Sequence, residues 1–245
     1  MMNKVSIGSW LTIGHTAIAE LMCRSNFDWL TVDMEHSAID ISDAFHMIQV
    51  ISLCGVKPLV RVGTNDPNLI KRVMDAGAYG VIVPMVNTKE EAIQAVNSVK
   101  YPPIGKRGVG LSRAQGYGYD FENYLEWVNK ESIVIAQIEH IDAVNNLEEI
   151  LSVEGIDGTI IGPYDLSGSL GIPGQFEDPK VVAALEKYEK ISGEMGKPTG
   201  VHVVQPDENQ VNKFINKGYK FIAVGLDALF LGNKVQETLN GIKGR

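Results

Sequence analysis

The sequence is sparing with features that mark several protein classes. Its 245 residues hold two cysteines, Cys23 and Cys54, too few for a disulfide framework. Both sit among apolar neighbours and read as reduced core thiols. No apolar run approaches the ~20 residues needed to cross a bilayer. The opening MMNKVSIGSWLTIGHT lacks the long apolar centre of a signal peptide. Positive charge is short: 22 lysines and arginines against 30 aspartates and glutamates leave a formal charge of −8. No basic cluster offsets it, which argues against nucleic acid or an anionic membrane as partners. No Gly-rich dinucleotide fingerprint follows the first strand-like run, and there is no linker, low-complexity tract or short repeat. The expectation is one cytoplasmic domain over 1–245, long enough to bury well over half of its unfolded surface.

What is present is alternation. The runs KVSIGSW, DWLTVDM, KPLVRV, GVIVPM, SIVIAQIE, GTIIGP, PTGVHVV and KFIAVGL are short, apolar and mostly β-branched, as in parallel strands buried on both faces. Between them lie helical patterns. AIAELMCRS is one; DPNLIKRVMDAG has Pro67 after a capping-type Asp66 and Gly77 as a stop. TKEEAIQAVNSV opens with a Thr88–Glu91 capping box. DAVNNLEEILSV, DPKVVAALEKYEKISGEMG and DENQVNKFINKG repeat the theme. This alternation predicts an α/β fold, a closed (β/α)8 TIM barrel, with an open doubly wound sheet as its rival. The longest irregular stretch, YPPIGKRGVGLSRAQGYGYD from Tyr101 to Asp120, reads as a lid or binding loop.

In such a barrel the working face is built at the C-terminal ends of the strands. The second strand runs into Asp33, Glu35 and His36, the third ends near Arg61, the fifth carries Gln137 and Glu139, and the sixth enters GPYDLS with Asp165. Each has an ordinary structural reading: a hydrogen-bonded histidine, a surface ion pair, a helix cap, a turn aspartate. Their convergence on one rim favours function. Glu139 and Asp165 are hard oxygen ligands that suit Mg2+ or Mn2+ and leave coordination positions for a chelating 2-oxo acid. A Lewis acid there supports enolate formation. Arg61 is placed to share oxyanion charge, and His36 has the intrinsic pKa for proton transfer near neutrality. A Schiff-base lysine, the competing strategy, is missing from these strand ends.

The segments VDMEHSAID, LVRVGTNDPNLIKRVMDAGAYGVIVPMVNTKEEA, YPPIGKRGVG and QIEHIDAVNNLEEILSVEGIDGTIIGPYDLSGSLG resemble the HpcH/HpaI aldolases, metal-dependent pyruvate aldolases of the phosphoenolpyruvate/pyruvate barrel type. The similarity runs from Gly8 to Gly225. It implies reversible cleavage of a 4-hydroxy-2-oxo acid to pyruvate and an aldehyde with Mg2+, Mn2+ or Co2+. It also implies a homo-oligomer, a trimer or hexamer, for which Leu229, Phe230 and Leu231 offer apolar contacts. By the same resemblance His36 is the acid/base, Arg61 stabilises the oxyanion, Glu139 and Asp165 hold the metal and Gln137 touches the pyruvyl group. Backbone amides at Tyr164 and Asp165 hold its carboxylate, Trp10 packs on the pocket, and Asp75 raises the basicity of the histidine. Asp75, however, ends a helix ahead of the fourth strand, where the barrel's opposite rim is expected.

The chain departs from the family pattern at Tyr164, where alanine is usual, and at His140, where a small hydroxyl residue is usual. It departs again in the loop carrying Ser112, Arg113, Tyr117 and Tyr119, which is expected to meet the aldehyde. The rival readings are a citrate/malyl-CoA lyase, an oxaloacetate-type decarboxylase and a catalytically idle metabolite-binding barrel.

Overall fold

The computed structural model describes residues 4–244. Its strands are β1 (Ser6–Leu11), β2 (Trp29–Asp33), β3 (Lys57–Arg61), β4 (Gly80–Val83), β5 (Ile133–Ile138), β6 (Gly158–Ile161), β7 (Thr199–Val203) and β8 (Phe221–Leu226). They pair in parallel, in chain order, and close through β1 and β8. This is the (β/α)8 barrel that the alternation predicts. Burial of β2, β4, β5 and β6 along their whole length explains why they read as unbroken apolar runs.

Inside the barrel Trp29 stacks on Phe221 with ring centroids 4.1 Å apart, above a plug that includes Leu59, Ile82, Ile135 and Ile160. A Cβ on Gly8 would stand 2.1 Å from the Trp29 ring, so β1 needs glycine there. The outward residues of the strands, among them Val32, Val60, Val81 and Val134, pack against the helical layer.

That layer comprises α1 (Thr16–Cys23), α2 (Ile41–Leu53), α3 (Pro67–Asp75), α4 (Lys89–Val99), α5 (Phe121–Lys130), α6 (Ile141–Asn145), α7 (Leu147–Leu151), α8 (Pro163–Ser169), α9 (Pro179–Glu194), α10 (Glu208–Asn216) and α11 (Asp227–Lys243). The expected caps are present. Asp66 accepts from Leu69 N at 2.7 Å ahead of Pro67, and Thr88 and Glu91 form the reciprocal box of α4. DAVNNLEEILSV, expected as one helix, divides at Asn146, whose Nδ2 donates to Asn87 O at 2.9 Å and ties the turn to the β4–α4 connection. Among the described residues, no helix is long and apolar enough to cross a membrane.

Two expectations need correction. The stretch Tyr101–Asp120 is no lid over its own active rim. Helix α4 carries the chain back to the N-terminal ends of the strands, and the loop packs there: Arg113 Nη1 donates to Ala76 O at 2.9 Å and Gln115 Nε2 to the Tyr101 hydroxyl at 2.5 Å. Ser112, Arg113, Tyr117 and Tyr119 thus belong to the rim opposite the working face of their own barrel. Nor are both thiols core residues. Cys23 is buried but Cys54, just past α2, is exposed; both are free. Burial and the nearby Cys54 sulfur push the Cys23 thiol up to about 12.

Candidate active site

Strand register assembles one half of the site. Asp33 and Arg61 are the last residues of β2 and β3 and lie opposite each other. Arg61 clamps the Asp33 carboxylate with Nε at 2.9 Å from Oδ1 and Nη2 at 2.7 Å from Oδ2, the bidentate geometry that makes such pairs strong. Asp33 also accepts from the Glu35 and His36 amides at 3.1 and 3.4 Å, and Ser37 Oγ donates to its carbonyl. The aspartate thereby shapes the turn that presents His36. Glu35 Oε2 lies 3.2 Å from Arg61 Nη1, close enough for an ion pair but not aligned as a hydrogen bond, so this buried oxygen has no aligned donor. Burial raises the Glu35 carboxyl above its usual range, with Arg61 opposing. The His36 imidazole is largely exposed, its Nε2 3.9 Å from Glu35 Oε2. Beneath them Arg61 Cζ stands 4.5 Å from the Trp10 ring centroid.

The facing half comes from β5 and β6. Gln137 and Glu139 are both buried. Gln137 Nε2 donates to Glu139 Oε2, while the Met85 amide, in the β4–α4 connection, donates to Oε1 at 2.8 Å. Asp165 lies in the first turn of α8. Gly162 separates the two acids by backbone alone. From the point where its Cβ would stand, Glu139 Oε2 is 3.5 Å away and Asp165 Oδ2 3.9 Å. Burial raises the Glu139 carboxyl; the Gln137 and Met85 bonds counter this, the Asp165 charge adds to it and Arg61 again opposes. Glu139 thus feels Arg61, and Glu35 feels Glu139, so the two halves border a common space.

The donor set fits a divalent cation. Two like-charged carboxylates, one of them deeply buried, converge beside a glycine, and a cation would reverse the penalty that raises Glu139. Among the described residues, no group of three or more His, Cys, Asp or Glu side chains is placed to hold a metal. Two carboxylates would leave coordination positions for water and substrate.

Other expected residues fall elsewhere. Asp75 is not brought to His36 within the chain. It ends α3 at the opposite rim, where its Oδ1 pairs with the buried Arg107 Nη2 at 2.5 Å, because each helix returns the chain to the strands' N-terminal ends. His140 caps α6, its Nδ1 accepting from Asp142 N at 3.1 Å. Tyr164 is exposed and meets Phe176 edge to face at 4.8 Å. The first-turn amides of Tyr164 and Asp165 have no acceptor within α8.

One residue escapes a reading of strand ends for reactive groups, and a second, Asp33, is seen there without its partner, since only the register of β2 and β3 sets it against Arg61. His202, on β7, sits 5.3 Å from the Trp10 ring with Nε2 2.9 Å from Gly225 O; desolvation lowers its pKa to about 4. It is a neutral ring near neutrality, with Nε2 donating.

Fold and rim together define a barrel enzyme of the carbon–carbon lyase kind. The sequence model described as HpcH/HpaI aldolase/citrate lyase matches residues 6–233, and the chain belongs to that family. The 2-keto-3-deoxy-L-rhamnonate aldolase of Escherichia coli is 39% identical over 239 residues, 97% of this chain and 88% of that one. A HpcH/HpaI aldolase/citrate lyase family protein from Burkholderia cenocepacia superposes with a TM-score of 0.92 at 30% identity, covering 98% of this chain and 95% of its own. The HpcH/HpaI aldolase of Desulfitobacterium hafniense gives 0.89 at 31%, covering 98% and 93%.

Proposed function

We propose that the protein is a divalent-metal-dependent class II aldolase. It would cleave a 4-hydroxy-2-oxo acid, of the 2-keto-3-deoxy sugar acid class named for its E. coli relative, to pyruvate and an aldehyde, and catalyse the reverse addition. The observation that carries this reading is the meeting of Asp33–Arg61–Glu35 with Glu139 and Asp165 around one space.

A Mg2+, Mn2+ or Co2+ ion on Glu139 and Asp165 would supply Lewis acidity toward the 2-oxo group. Gln137 fixes the Glu139 carboxylate, and the amides of Tyr164 and Asp165 face the substrate carboxylate. His36 Nε2 takes the proton of the 4-hydroxyl as the C3–C4 bond breaks. Its electron pair becomes the enolate of pyruvate, whose oxygen charge Arg61 shares. Delivery of that proton to C3, directly or through water, then yields pyruvate and restores neutral His36. Asp33 and Trp10 keep the Arg61 guanidinium flat and in place throughout.

The partner reading is a homo-oligomer. Along α11, Leu231, Val235, Leu239 and Ile242 follow helical spacing and are all exposed, a stripe suited to a second copy.

The test is aldol cleavage and oxaloacetate decarboxylation with each metal, with chelator, and in His36→Ala. The expected result is loss of both activities on chelation. His36→Ala should lose cleavage while keeping decarboxylation, which needs no 4-hydroxyl proton transfer. Cleavage that is indifferent to chelator would reject the proposal.

A further inference from the structure

The rim around the two carboxylates is unusual in its charge. The connections from strand to helix, residues 12–15, 34–40, 62–66, 84–88, 139–140, 162 and 204–207, contain no lysine or arginine. Neither does 170–178, which joins α8 to α9. Arg61, the terminal residue of β3, is already engaged by Asp33 and Glu35. The same connections bring Glu35, Asp66, Glu139 and Asp207. Within these connections no cation is free to receive a second carboxylate on the substrate's far end; the nearest lysines, Lys89 and Lys180, lie in the first turns of α4 and α9.

Beside this acidic rim stands an aromatic pair. Tyr164 directly precedes Asp165 and is 63% exposed. It is held, not loose: its ring meets Phe176 edge to face, and Ser167 Oγ donates to Tyr164 O at 2.7 Å while accepting from Gly174 N at 2.9 Å. The 170–178 segment and α8 are thus tied into one wall whose apolar face is left bare.

Resting on the aldolase reading above, we propose that Tyr164 and Phe176 wall the aldehyde subsite, and that this subsite takes an uncharged aldehyde with apolar surface and rejects one bearing a distal carboxylate. The aromatic faces supply contact area to an alkyl chain. The bare apolar wall and the cation-free connections supply the discrimination, because a carboxylate set against them loses water without gaining a partner.

The experiment compares two near-isosteric acceptors in pyruvate addition: 4-methylpentanal and 4-oxobutanoate, in which a carboxylate replaces the isopropyl group. Wild type should favour the neutral aldehyde in kcat/KM by on the order of tenfold or more. Tyr164→Ala and Phe176→Ala should each lose most of that preference through KM, and Phe176→Ala should do so while keeping exchange of the pyruvate methyl protons into D2O. Tyr164→Arg should raise the rate with 4-oxobutanoate. Exchange that persists while the alanine variants retain the full preference would overturn the subsite. Absence of exchange with every metal would instead overturn the aldolase reading. The wall is then decided by saturation-transfer NMR with 4-methylpentan-1-ol and 4-hydroxybutanoate. Only the neutral alcohol should bind, and only with Tyr164 present; equal binding of both, or binding indifferent to Tyr164→Ala, overturns it.

Discussion

Arg61 is held by more acid than it can neutralise, since Asp33 and Glu35 both lean on one guanidinium. Asp33 fixes its plane and also the turn of His36, so Asp33→Asn should remove the clamp without removing bulk. The expected outcome is a fall in kcat of about 100-fold with a smaller change in KM for the 2-oxo acid, read by steady-state kinetics. His202 gives a stability test. Its folded pKa of about 4 lies below the ordinary ~6.5 of the unfolded chain. Between those values the unfolded state binds the extra proton, so stability is full above pH 6.5 and is lost as pH falls through 4. Glu35 and Glu139, with raised carboxyls, work in the opposite sense and are common to wild type and variant. Urea midpoints from pH 7 to 4 should therefore show His202→Leu losing about 3 kcal/mol less than wild type over this range. An equal loss would mean the ring is not buried neutral. The role of His202 was not legible from the sequence, and that of Asp33 only in part, as a strand-end acid beside His36. His202 sits in a run that reads as plain strand, and the use of Asp33 emerges only when two strand ends are laid in register.

The elements themselves were more legible. All eight strands announce themselves because both faces of each are covered. The caps at Asp66 and Thr88 announce two helices through side chains that must satisfy open amides. What escaped is equally physical. Helix α2 starts on an Asp40–Asp43 box and is rich in β-branched residues; α8 is seven residues containing glycine and proline and reads as a turn. The Tyr101–Asp120 loop was recognised as special but set at the wrong rim, because composition carries no direction and only helix polarity does. Two glycines test the packing argument. Gly8→Ala would drive a methyl into the Trp29 ring, which Phe221 clamps from one side, so a loss of about 3 kcal/mol or more is expected. Gly193, in α9 with nothing within 4 Å of an added Cβ, should gain up to ~1 kcal/mol as alanine. Thermal unfolding decides both. Similar melting points for the two variants would deny that strand β1 and helix α9 stand in these environments.

At the scale of the molecule the barrel divides its labour between two rims. One gathers acids that can be offset by a cation and by Arg61. The other buries Arg107 against Asp75, Tyr101 and Tyr124, which serves the scaffold. Outside both lies α11, whose Asp227 accepts from Thr12 N, Ile13 N and Ala228 N at 2.8–3.0 Å. That fastens the start of the helix to the active rim. Leu229 and Phe230 are half-buried, Phe230 lying against the backbone at Gly225. Beyond them the helix leaves Leu231, Val235, Leu239 and Ile242 uncovered at 45–75% exposure. Four apolar side chains along one stripe are costly to leave in water, at roughly 25 cal/mol per Å2, and a second copy of the chain would cover them. Light scattering on the wild type should give a multiple of the 26.8 kDa chain mass. The double variant Leu231→Glu/Leu239→Glu should shift it toward the single-chain value with circular dichroism unchanged, because neither residue supports the barrel. A wild type that runs as a single chain at micromolar concentration would remove the oligomer from the account and leave α11 as a free surface helix.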